Sequence, residues 1–492
     1  MTTETTIQVP PTRYGECITC ARSDLIFHPG PGAGIPPGGL WTDGRGEIHG
    51  KGHEIKELHF KSADEKRQEL EESLRELCRE TTIETICEIL STEIKKDFVT
   101  TAITFLSALL NYTGRQSVIV TFKAGSSTGK SYIVLRVLDL FQKEDIIKLA
   151  GASPTSFFHE LGTPVYEDVT DENGKPAKRL KHILVDLCQK IVVFLDQPDP
   201  KLLERLRSFC SKDTDQAIFK ITDRTSSGSQ RTKTVILQGP ATFFYCTARY
   251  AAESQENSRT FILSPSGAED QEKLRQAINL IATRETDYDF FSQTLANDPQ
   301  RHWLSERILL IKMAKIREIN LTPEDSEYLK SEFLKRHPVL IPRHSRDFPR
   351  LIALAKGCAL LNLWHRRTEE DGVIQANRSD IDAALKLYDS ISEANELGLA
   401  PALLEWFRAV ITPFWKEDKY PDKREIARKH LEVYHEPLPR IRFERDYIPS
   451  LEAASLIFSE PHPDDKRRTI YAPVKEEAKS LELKDHDDSK ET

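Results

Sequence analysis

The sequence predicts an α/β core, and three apolar segments are the basis of this prediction. The first, residues 117–122, precedes a loop of small residues and then an apolar helical stretch at 132–141. The other two, residues 191–196 and 241–247, are equally apolar and each ends in a polar side chain. Strands followed by helical segments are typical of the α/β class.

The composition is that of a globular protein with several domains. The chain has 492 residues, 39% of them hydrophobic and 30% charged, which is too long for one core and atypical of disorder. Because the net charge is −8, any contact with nucleic acid has to come from local basic patches. The longest apolar run, residues 98–110, predicts a buried helix too short for a bilayer, and no secretory signal is recognisable. We therefore expect a cytoplasmic, nucleoid-associated protein with reduced cysteines and no membrane partner.

Changes in composition divide the chain into segments. Proline and glycine at 29–39 predict irregular structure, helical spacing of apolar residues predicts two helical regions, and the acidic end predicts disorder. The predicted segments are an irregular N-terminal part (1–60), a helical part (61–113), the α/β core (114–265), a second helical part (266–395), a small mixed unit (396–475) and an acidic tail (476–492).

Residues 124–131, AGSSTGKS, are the most specific motif in the chain. Small residues let backbone amides turn inward around phosphate oxygens, and the helix that follows points its positive end at them. Lys130 adds a charge near the β- and γ-phosphates, and Ser131 supplies a hydroxyl to magnesium. The motif therefore predicts a site for ATP and Mg²⁺, formed by Ala124, Gly125, Ser126, Ser127, Thr128, Gly129, Lys130 and Ser131. Ala124 replaces the usual first glycine, which the wider pattern tolerates.

The apolar strand at 191–196 ends in Asp196. In P-loop proteins we expect such a strand beside the phosphate-loop strand, where its carboxylate reaches the magnesium shell; a surface acid is the alternative. Gln197 follows, where most such ATPases have a glutamate, and glutamine orients water but is a poor base. Either hydrolysis is slow, assisted by Asp199 or a neighbouring subunit, or ATP acts as a binding switch. We favour hydrolysis.

Two predicted hairpins carry basic residues. Residues 164–181 contain the turn signal Asn173-Gly174, and residues 217–237 alternate like two paired strands. Basic hairpin tips can hold the phosphates of a strand that passes through a central pore, whereas a solvated surface hairpin is the alternative. The candidate DNA-binding residues are Lys178, Arg179, Lys220, Arg224, Arg231 and Lys233.

The order of these elements resembles the AAA+ superfamily. More narrowly, it is similar to the branch with a helix-2 insert and a pre-sensor-1 hairpin, which contains the minichromosome maintenance helicases. The resemblance covers about residues 95–390 and rests on AGSSTGKS, a hairpin before VVFLDQ, a hairpin before FFYCTA, SRTF and SRDFPRLIALAKGCALL, in that order. It implies a P-loop NTPase core with β-hairpin inserts, an α-helical lid at 266–395 and a homo-oligomeric, hexameric ring.

The resemblance also implies roles for individual side chains. Thr247 takes the position of sensor 1, where asparagine is usual, and Arg259 that of the arginine finger, which acts on an adjacent subunit's site. Arg346 takes the position of sensor 2, with Arg350 one helical turn further as its rival. The departures at Gln197 and Thr247 bear on hydrolysis and leave nucleotide binding untouched.

Residues 396–475 resemble a winged helix. Helices are predicted at 402–415, 423–434 and 446–456, with Asp422 as the cap of the second, and two short strands follow. The candidate contacts to DNA phosphates or base edges are Arg440, Arg442 and Arg445. A winged unit used for protein contacts is the alternative.

Cys17 and Cys20 have the spacing of half a zinc site. No second cysteine pair follows, although His28, His49 and His53 could complete four ligands. We prefer reduced, unligated thiols to zinc.

Together these features predict an ATP-dependent DNA translocase or helicase of the replicative or mobile-element type, which hydrolyses Mg-ATP in a ring. Two alternatives stay open. One is a DNA-bound ATP switch, an initiator or regulator that does not unwind DNA. The other is a protein-remodelling ATPase that uses its hairpins on polypeptide.

Overall fold

The computed structural model of the protein describes five strands within residues 13–58, and residues 63–474 with gaps. The gaps are 115, 117, 152, 154–156, 158–160, 171–175, 211–215, 225–229, 251–256, 268–269 and 464. The chain divides into two compact units, Met1–Glu76 and Leu77–Thr492. The predicted acidic tail at 476–492 lies outside the described residues.

The N-terminal unit contains an antiparallel five-stranded sheet, so the prediction of irregular structure for residues 1–60 is wrong for these strands. The strands were missed because proline and glycine dominate the composition of this region and the strands beside them are only two to seven residues long. The strands are β1 (Arg13–Cys17), β2 (Arg22–His28), β3 (Leu40–Thr42), β4 (Ile48–His49) and β5 (Ile55–Leu58), in the spatial order β4-β3-β2-β1-β5, and helix α1 (Ala63–Leu77) follows.

The larger unit is built on a parallel five-stranded sheet, which confirms the α/β class and is compatible with a P-loop NTPase core. Its strands are β6 (Ile119–Lys123), β7 (Ile146–Leu149), β10 (Lys190–Phe194), β13 (Ala241–Thr247) and β14 (Phe261–Leu263), in the order β14-β6-β13-β10-β7. Because β13 lies between β6 and β10, the prediction that the Asp196 strand lies directly beside the phosphate-loop strand is wrong. All five strands are parallel, so their carboxyl ends still meet at one edge.

Helices pack against this sheet. Helices α3 (Phe98–Leu110) and α4 (Lys130–Leu138) contact its strands, and α2 (Ile83–Leu90) packs against α3. Eleven residues of α3, Thr100–Leu110, are buried, as predicted for the run 98–110. A helix that is apolar all round belongs in a core, and α3 shares the main hydrophobic core with β6 and α4.

The two predicted hairpins are present and join into one four-stranded sheet. They are β8 (Thr163–Thr170) with β9 (Pro176–Asp186), and β11 (Gln216–Arg224) with β12 (Gln230–Gln238), which helix α5 (Pro200–Cys210) precedes. Parallel pairing of residues 183–186 with 235–238 links the hairpins at their bases. Because β9 and β12 are parallel, both strands begin at the same end of the sheet. The turn signal Asn173-Gly174 falls outside the described residues.

Residues 266–395 are mostly helical, as predicted, but they also contain a three-stranded sheet that the sequence analysis missed. Its strands are three or four residues long, too short for alternation to show. The elements are α6 (Gln271–Thr286), α7 (Tyr288–Ala296), α8 (Pro299–Met313), β15 (Glu318–Leu321), α9 (Pro323–Arg336), α10 (His344–Leu361), β16 (Thr368–Glu370), β17 (Val373–Ala376), α11 (Arg378–Asp389) and α12 (Ser392–Glu396).

A buried ion pair fixes the start of α11. Asp380, 2% exposed, accepts from Arg366 Nε and Nη2 at 2.8 Å each, so the pair is bidentate. The same carboxylate accepts from the backbone N–H of Asn377 at 2.9 Å, which completes a capping box. Asp380 therefore neutralises a buried guanidinium and caps a helix at once.

The C-terminal part has helices followed by an antiparallel strand pair, as predicted. The predicted helix at 402–415 is two helices that meet at Ile411, and the third helical stretch begins at Arg440 instead of 446. The elements are α13 (Pro401–Val410), α14 (Thr412–Lys416), α15 (Lys423–Tyr434), α16 (Arg440–Arg442), a short π-helix (Phe443–Tyr447), α17 (Ile448–Ala453), β18 (Ile457–Pro461) and β19 (Thr469–Pro473).

Asp422 caps α15, as predicted, through a capping box with Glu425. Its Oδ1 accepts from the backbone N–H groups of Arg424 and Glu425 at 2.9 Å each, and its Oδ2 accepts from Arg468 Nε at 2.7 Å. Burial alone would raise the pKa of Asp422, but these donors outweigh burial and hold it below the ordinary value of 3.8. The carboxylate thus joins the start of α15 to the residue just before β19.

The lowered pKa gives an expected pH dependence. Stability from the Asp422 carboxylate is present above its ordinary pKa and lost as the pH falls through its folded-state pKa. Asp422→Asn keeps a capping oxygen but loses the charge, so we expect it to destabilise the protein by about 1 kcal/mol at pH 7. Urea unfolding should show this difference shrinking below pH 3.8. Asp418→Asn, an exposed control, should show no such difference; a constant Asp422 effect down to pH 2 would contradict the assignment.

Candidate nucleotide-binding site

The backbone after β6 forms a tight loop that ends in a helix. Ala124 is 1% exposed, and the loop passes through Ser127 at φ 63° before Gly129 at φ +90°. Gly129 is the N-cap of α4, and glycine adopts this left-handed conformation without the cost that a side chain adds. The backbone N–H groups at the start of α4 therefore face the space that the loop surrounds.

Lys130 lies within this loop. Its Nζ donates to the carbonyl oxygens of Ala124 at 3.0 Å and Gly125 at 2.5 Å. Burial lowers the pKa of Lys130, and the positive charge of Arg442 acts in the same direction. The lysine ammonium is therefore held at the loop residues that a bound phosphate chain would follow.

Polar side chains from the start of α4 and from the ends of β10 and β13 meet at one edge of the sheet. Ser131 Oγ lies 3.5 Å from the carbonyl oxygen of Leu195, the residue before Asp196. Asp196 Oδ1 accepts from the backbone N–H of Gln197 at 2.7 Å, and Thr247 Oγ1 donates to Gln197 Oε1 at 3.2 Å. The structure thus brings Ser131, Asp196, Gln197 and Thr247 together beside the loop.

These residues fit Mg-ATP. A hydroxyl and a carboxylate are the oxygen ligands that Mg²⁺ takes from protein when phosphates supply others. Lys130 and the α4 amides suit the β- and γ-phosphates. ATP, when bound, would supply a γ-phosphoryl group for transfer to water, and the side chains here would orient it.

Cys246, one residue before Thr247, is a neighbour that the sequence analysis did not predict. It is 1% exposed, and burial raises the pKa of its thiol to about 11, although Ser131 and Lys130 act in the opposite direction. The thiol is therefore neutral near pH 7 and adds no charge beside Ser131. Its position in an apolar strand gave no signal of this contact.

The C-terminal part contributes an arginine to the loop. Arg442 Nη2 and Nη1 lie 3.1 and 3.2 Å from the point where a Cβ on Gly125 would stand, and the guanidinium lies over the rings of Tyr250 and Tyr447. The sequence groups Arg442 with Arg440 and Arg445 as DNA contacts, but the structure separates them. Arg440 and Arg445 are exposed, whereas Arg442 is half-buried against the phosphate loop. Arg440 and Arg442 are two residues apart on a helical turn, so their side chains lie on different faces.

The predicted sensor-2 arginines lie on a different segment. Arg346 Nη1 donates to Ser258 Oγ, and Arg350 Nη2 donates to the Ser258 carbonyl at 2.5 Å. Arg350 is also bonded to Asp347 at 2.5 Å, and burial lowers its pKa to about 10. In the described part of the chain, both arginines therefore hydrogen-bond to Ser258 and hold the segment that leads into β14. Arg259, the residue after Ser258, is half-buried. Neither arginine has a hydrogen bond to residues 124–131.

The basic hairpin residues share one sheet. Lys178 and Lys220 are exposed, Lys233 is half-buried, and Arg179 donates to Glu167 at 2.9 Å. Arg224 and Arg231 lie at the turn ends of β11 and β12, and their side chains are outside the described ones. Since Glu167 and Asp168 face Arg179 and Lys178 across the strands, the first hairpin is less positive than its lysines and arginines alone suggest.

One group of potential metal ligands converges within the described residues: His337, His344 and Glu396. The backbone N–H of Ile341 donates to His344 Nδ1 at 3.2 Å, so the proton of a neutral His344 lies on Nε2. A protonated nitrogen is no metal ligand. Of the two imidazoles, His337 approaches the carboxylate more closely: its Nδ1 lies 3.0 Å from Glu396 Oε1, whereas His344 Nε2 lies 3.7 Å from that oxygen. Of the predicted zinc ligands, Cys20 and His53 lie outside the described residues, so that site stays a prediction.

Two comparisons with known proteins give no match: no protein-family model fits the sequence, and no curated protein is similar to it. Among the residues that the structure describes, no helix combines the length and the apolar character needed to cross a bilayer.

Proposed function

We propose that this chain is an ATPase of the AAA+ type that binds Mg-ATP at the loop after β6 and uses it to move along DNA. The observation that carries the proposal is the convergence of Lys130, Ser131, Asp196, Gln197 and Thr247 at one edge of a parallel sheet. Lys130 and the loop bind the phosphates, and Ser131 and Asp196 hold the magnesium ion.

The position of β13 supports the assignment of Thr247 as a sensor. Because β13 lies between β6 and β10, its last residue stands between the phosphate loop and Gln197. The hydroxyl of Thr247 donates to Gln197 Oε1, which fixes the plane of that amide. A fixed amide can orient an attacking water even though it is a poor base.

The hairpin sheet supports a DNA substrate. Its strands β9 and β12 begin at the same end of the sheet, and the four strands carry Lys178, Lys220, Arg224, Arg231 and Lys233. A group of cations on one sheet suits the phosphates of single-stranded DNA. Arg259 acts on the site of a neighbouring subunit in a hexameric ring, and Arg440 and Arg445 of a winged-helix unit contact duplex DNA.

The test is ATP turnover with and without single-stranded DNA. We expect DNA to stimulate turnover by wild-type protein about threefold or more, and Lys220→Ala/Arg231→Ala to reduce that stimulation because two phosphate contacts are lost. Lys201→Ala, an exposed lysine at the start of α5, is the matched control and should keep the stimulation. Turnover that DNA leaves unchanged would refute the translocase and favour protein remodelling.

Gln197 favours one alternative, a DNA-bound switch. A site without a strong base suits a protein that binds ATP, changes its affinity for DNA and hydrolyses slowly. Strand displacement separates the two functions. A translocase displaces a strand from a forked duplex with ATP, whereas a switch binds the duplex and displaces nothing.

A further inference from the structure

Arg442 belongs to the C-terminal part of the chain but lies at the phosphate loop. Its guanidinium nitrogens stand so close to Gly125 that a side chain at that position would meet them. Two tyrosines hold it there: the centroid of the Tyr250 ring is 5.7 Å from Arg442 Cζ and that of Tyr447 is 5.8 Å. The backbone N–H of Tyr250 donates to Asp446 at 2.8 Å, so the segment after β13 is tied directly to the segment that carries Arg442.

Within the described residues, no carboxylate neutralises the guanidinium of Arg442. Arg442 has ring contacts but no carboxylate within ion-pair distance in the part of the chain that the structure describes. Glu436 lines the same pocket as Arg442, yet it is exposed to solvent. Lys130 is the second cation here, and burial together with the charge of Arg442 lowers its pKa. Two cations at one loop create a site that an anion would stabilise.

A buried hydrogen-bond donor at the same pocket is a second, independent observation. Trp406 Nε1 donates to His430 Nδ1 at 2.9 Å, so the neutral ring carries its proton on Nε2. That Nε2 is buried without a hydrogen-bond partner, although His430 lines the pocket together with Gly125, Thr128 and Arg442. The ring stays neutral near pH 7 because burial, with Arg442, lowers the pKa of His430 to about 4. A buried donor without a partner costs free energy and favours an acceptor oxygen.

The position of Arg442 along the loop indicates which part of a nucleotide it would meet. In loops of this kind, the lysine reaches the β- and γ-phosphates. Lys130 Nζ lies 2.5 Å from the Gly125 carbonyl oxygen, and Gly125 is the residue against which Arg442 packs. Arg442 therefore packs against the same stretch of loop as the Lys130 ammonium, on the side that the β- and γ-phosphates would take, where an arginine supplied in cis can stabilise charge.

We propose that Arg442 binds the γ-phosphate of ATP in cis, so that the C-terminal part of the chain detects whether a triphosphate or a diphosphate is bound. The proposal rests on the proposed function, because it needs a nucleotide in the loop. It gives this role to an arginine outside the predicted sensor-2 helix, whose arginines are bonded to the segment around Ser258.

Nucleotide affinity measured with fluorescent ADP and a fluorescent, slowly hydrolysed ATP analogue tests the proposal. For Arg442→Ala we expect the affinity for the ATP analogue to fall about 10-fold or more, while the affinity for ADP changes less than about twofold, since ADP lacks the γ-phosphate. Arg442→Lys keeps the charge without the planar fork and should recover part of the loss. Arg428→Ala, an exposed arginine on α15, is the control and should bind both nucleotides like wild type.

The outcomes separate the two proposals. Wild-type protein that binds neither nucleotide would overturn the proposed function and this inference with it. Wild-type protein that binds both, with Arg442→Ala weakening ADP and the ATP analogue equally or weakening neither, would overturn the inference alone. If Arg442→Ala does not fold, as judged by circular dichroism, Arg442→Lys and Arg442→Gln decide by the same comparison. A difference confined to the ATP analogue would establish contact with the γ-phosphate.

Discussion

Replacing Lys130 with alanine is expected to weaken Mg-ATP binding by about 10- to 100-fold, because a hydrogen bond between charged groups is worth about 1.5–3 kcal/mol. The lysine is already held within the loop by Ala124 and Gly125, so little ordering is needed when phosphate replaces those carbonyl oxygens. Isothermal titration calorimetry with ATP and magnesium measures the change directly.

The control for this prediction is Lys143→Ala, an exposed lysine in the turn before β7. It removes the same charge from the same unit and should leave affinity unchanged within about twofold, since exposed charges are screened. Equal affinity for wild type and Lys130→Ala would mean that nucleotide, if bound, lies elsewhere. The motor interpretation would then have no basis.

Replacing Asp380 with alanine is expected to lower the free energy of unfolding by about 3–5 kcal/mol, because breaking a buried ion pair leaves an uncompensated charge. Among the described residues, Arg366, 8% exposed, would keep only the exposed Glu80 at 3.0 Å as an ionic partner. The capping box of α11 would be lost in the same step. Chemical denaturation monitored by circular dichroism gives the difference.

Asp382→Ala is the matched control for Asp380→Ala. Asp382 lies on the same helix but is exposed, and it accepts a hydrogen bond from the Tyr328 hydroxyl at 2.8 Å. Its loss should cost about 1 kcal/mol or less. If the two variants lose equal stability, the Arg366 pair contributes no more than a surface contact.

Local features of the site could be predicted from the sequence. The loop at 124–131 and the cap at Asp422 depend on residues within a few positions of one another, so short motifs suffice to locate them. The strands β6, β10 and β13 were predictable for a similar reason, since each is an apolar run bounded by polar or small residues.

Features that depend on distant pairing could not be predicted. The place of β13 between β6 and β10 is set by which apolar faces fit together, and no single strand carries that information. Arg442 meets Gly125 only because the C-terminal helices pack against the segment that contains Tyr250. In the sequence it is one arginine among three similar ones. Short strands such as β16 were missed because three residues are too few to show a period.

The parallel ladder between β9 and β12 has a mechanical consequence. Four hydrogen-bonded strands resist bending far better than an isolated two-stranded ribbon, which is only marginally stable in water. The four strands would therefore move together, whichever hairpin is displaced. Because α5 begins soon after Asp196 and precedes β11 in the chain, a displacement at Asp196 could be passed to the whole sheet.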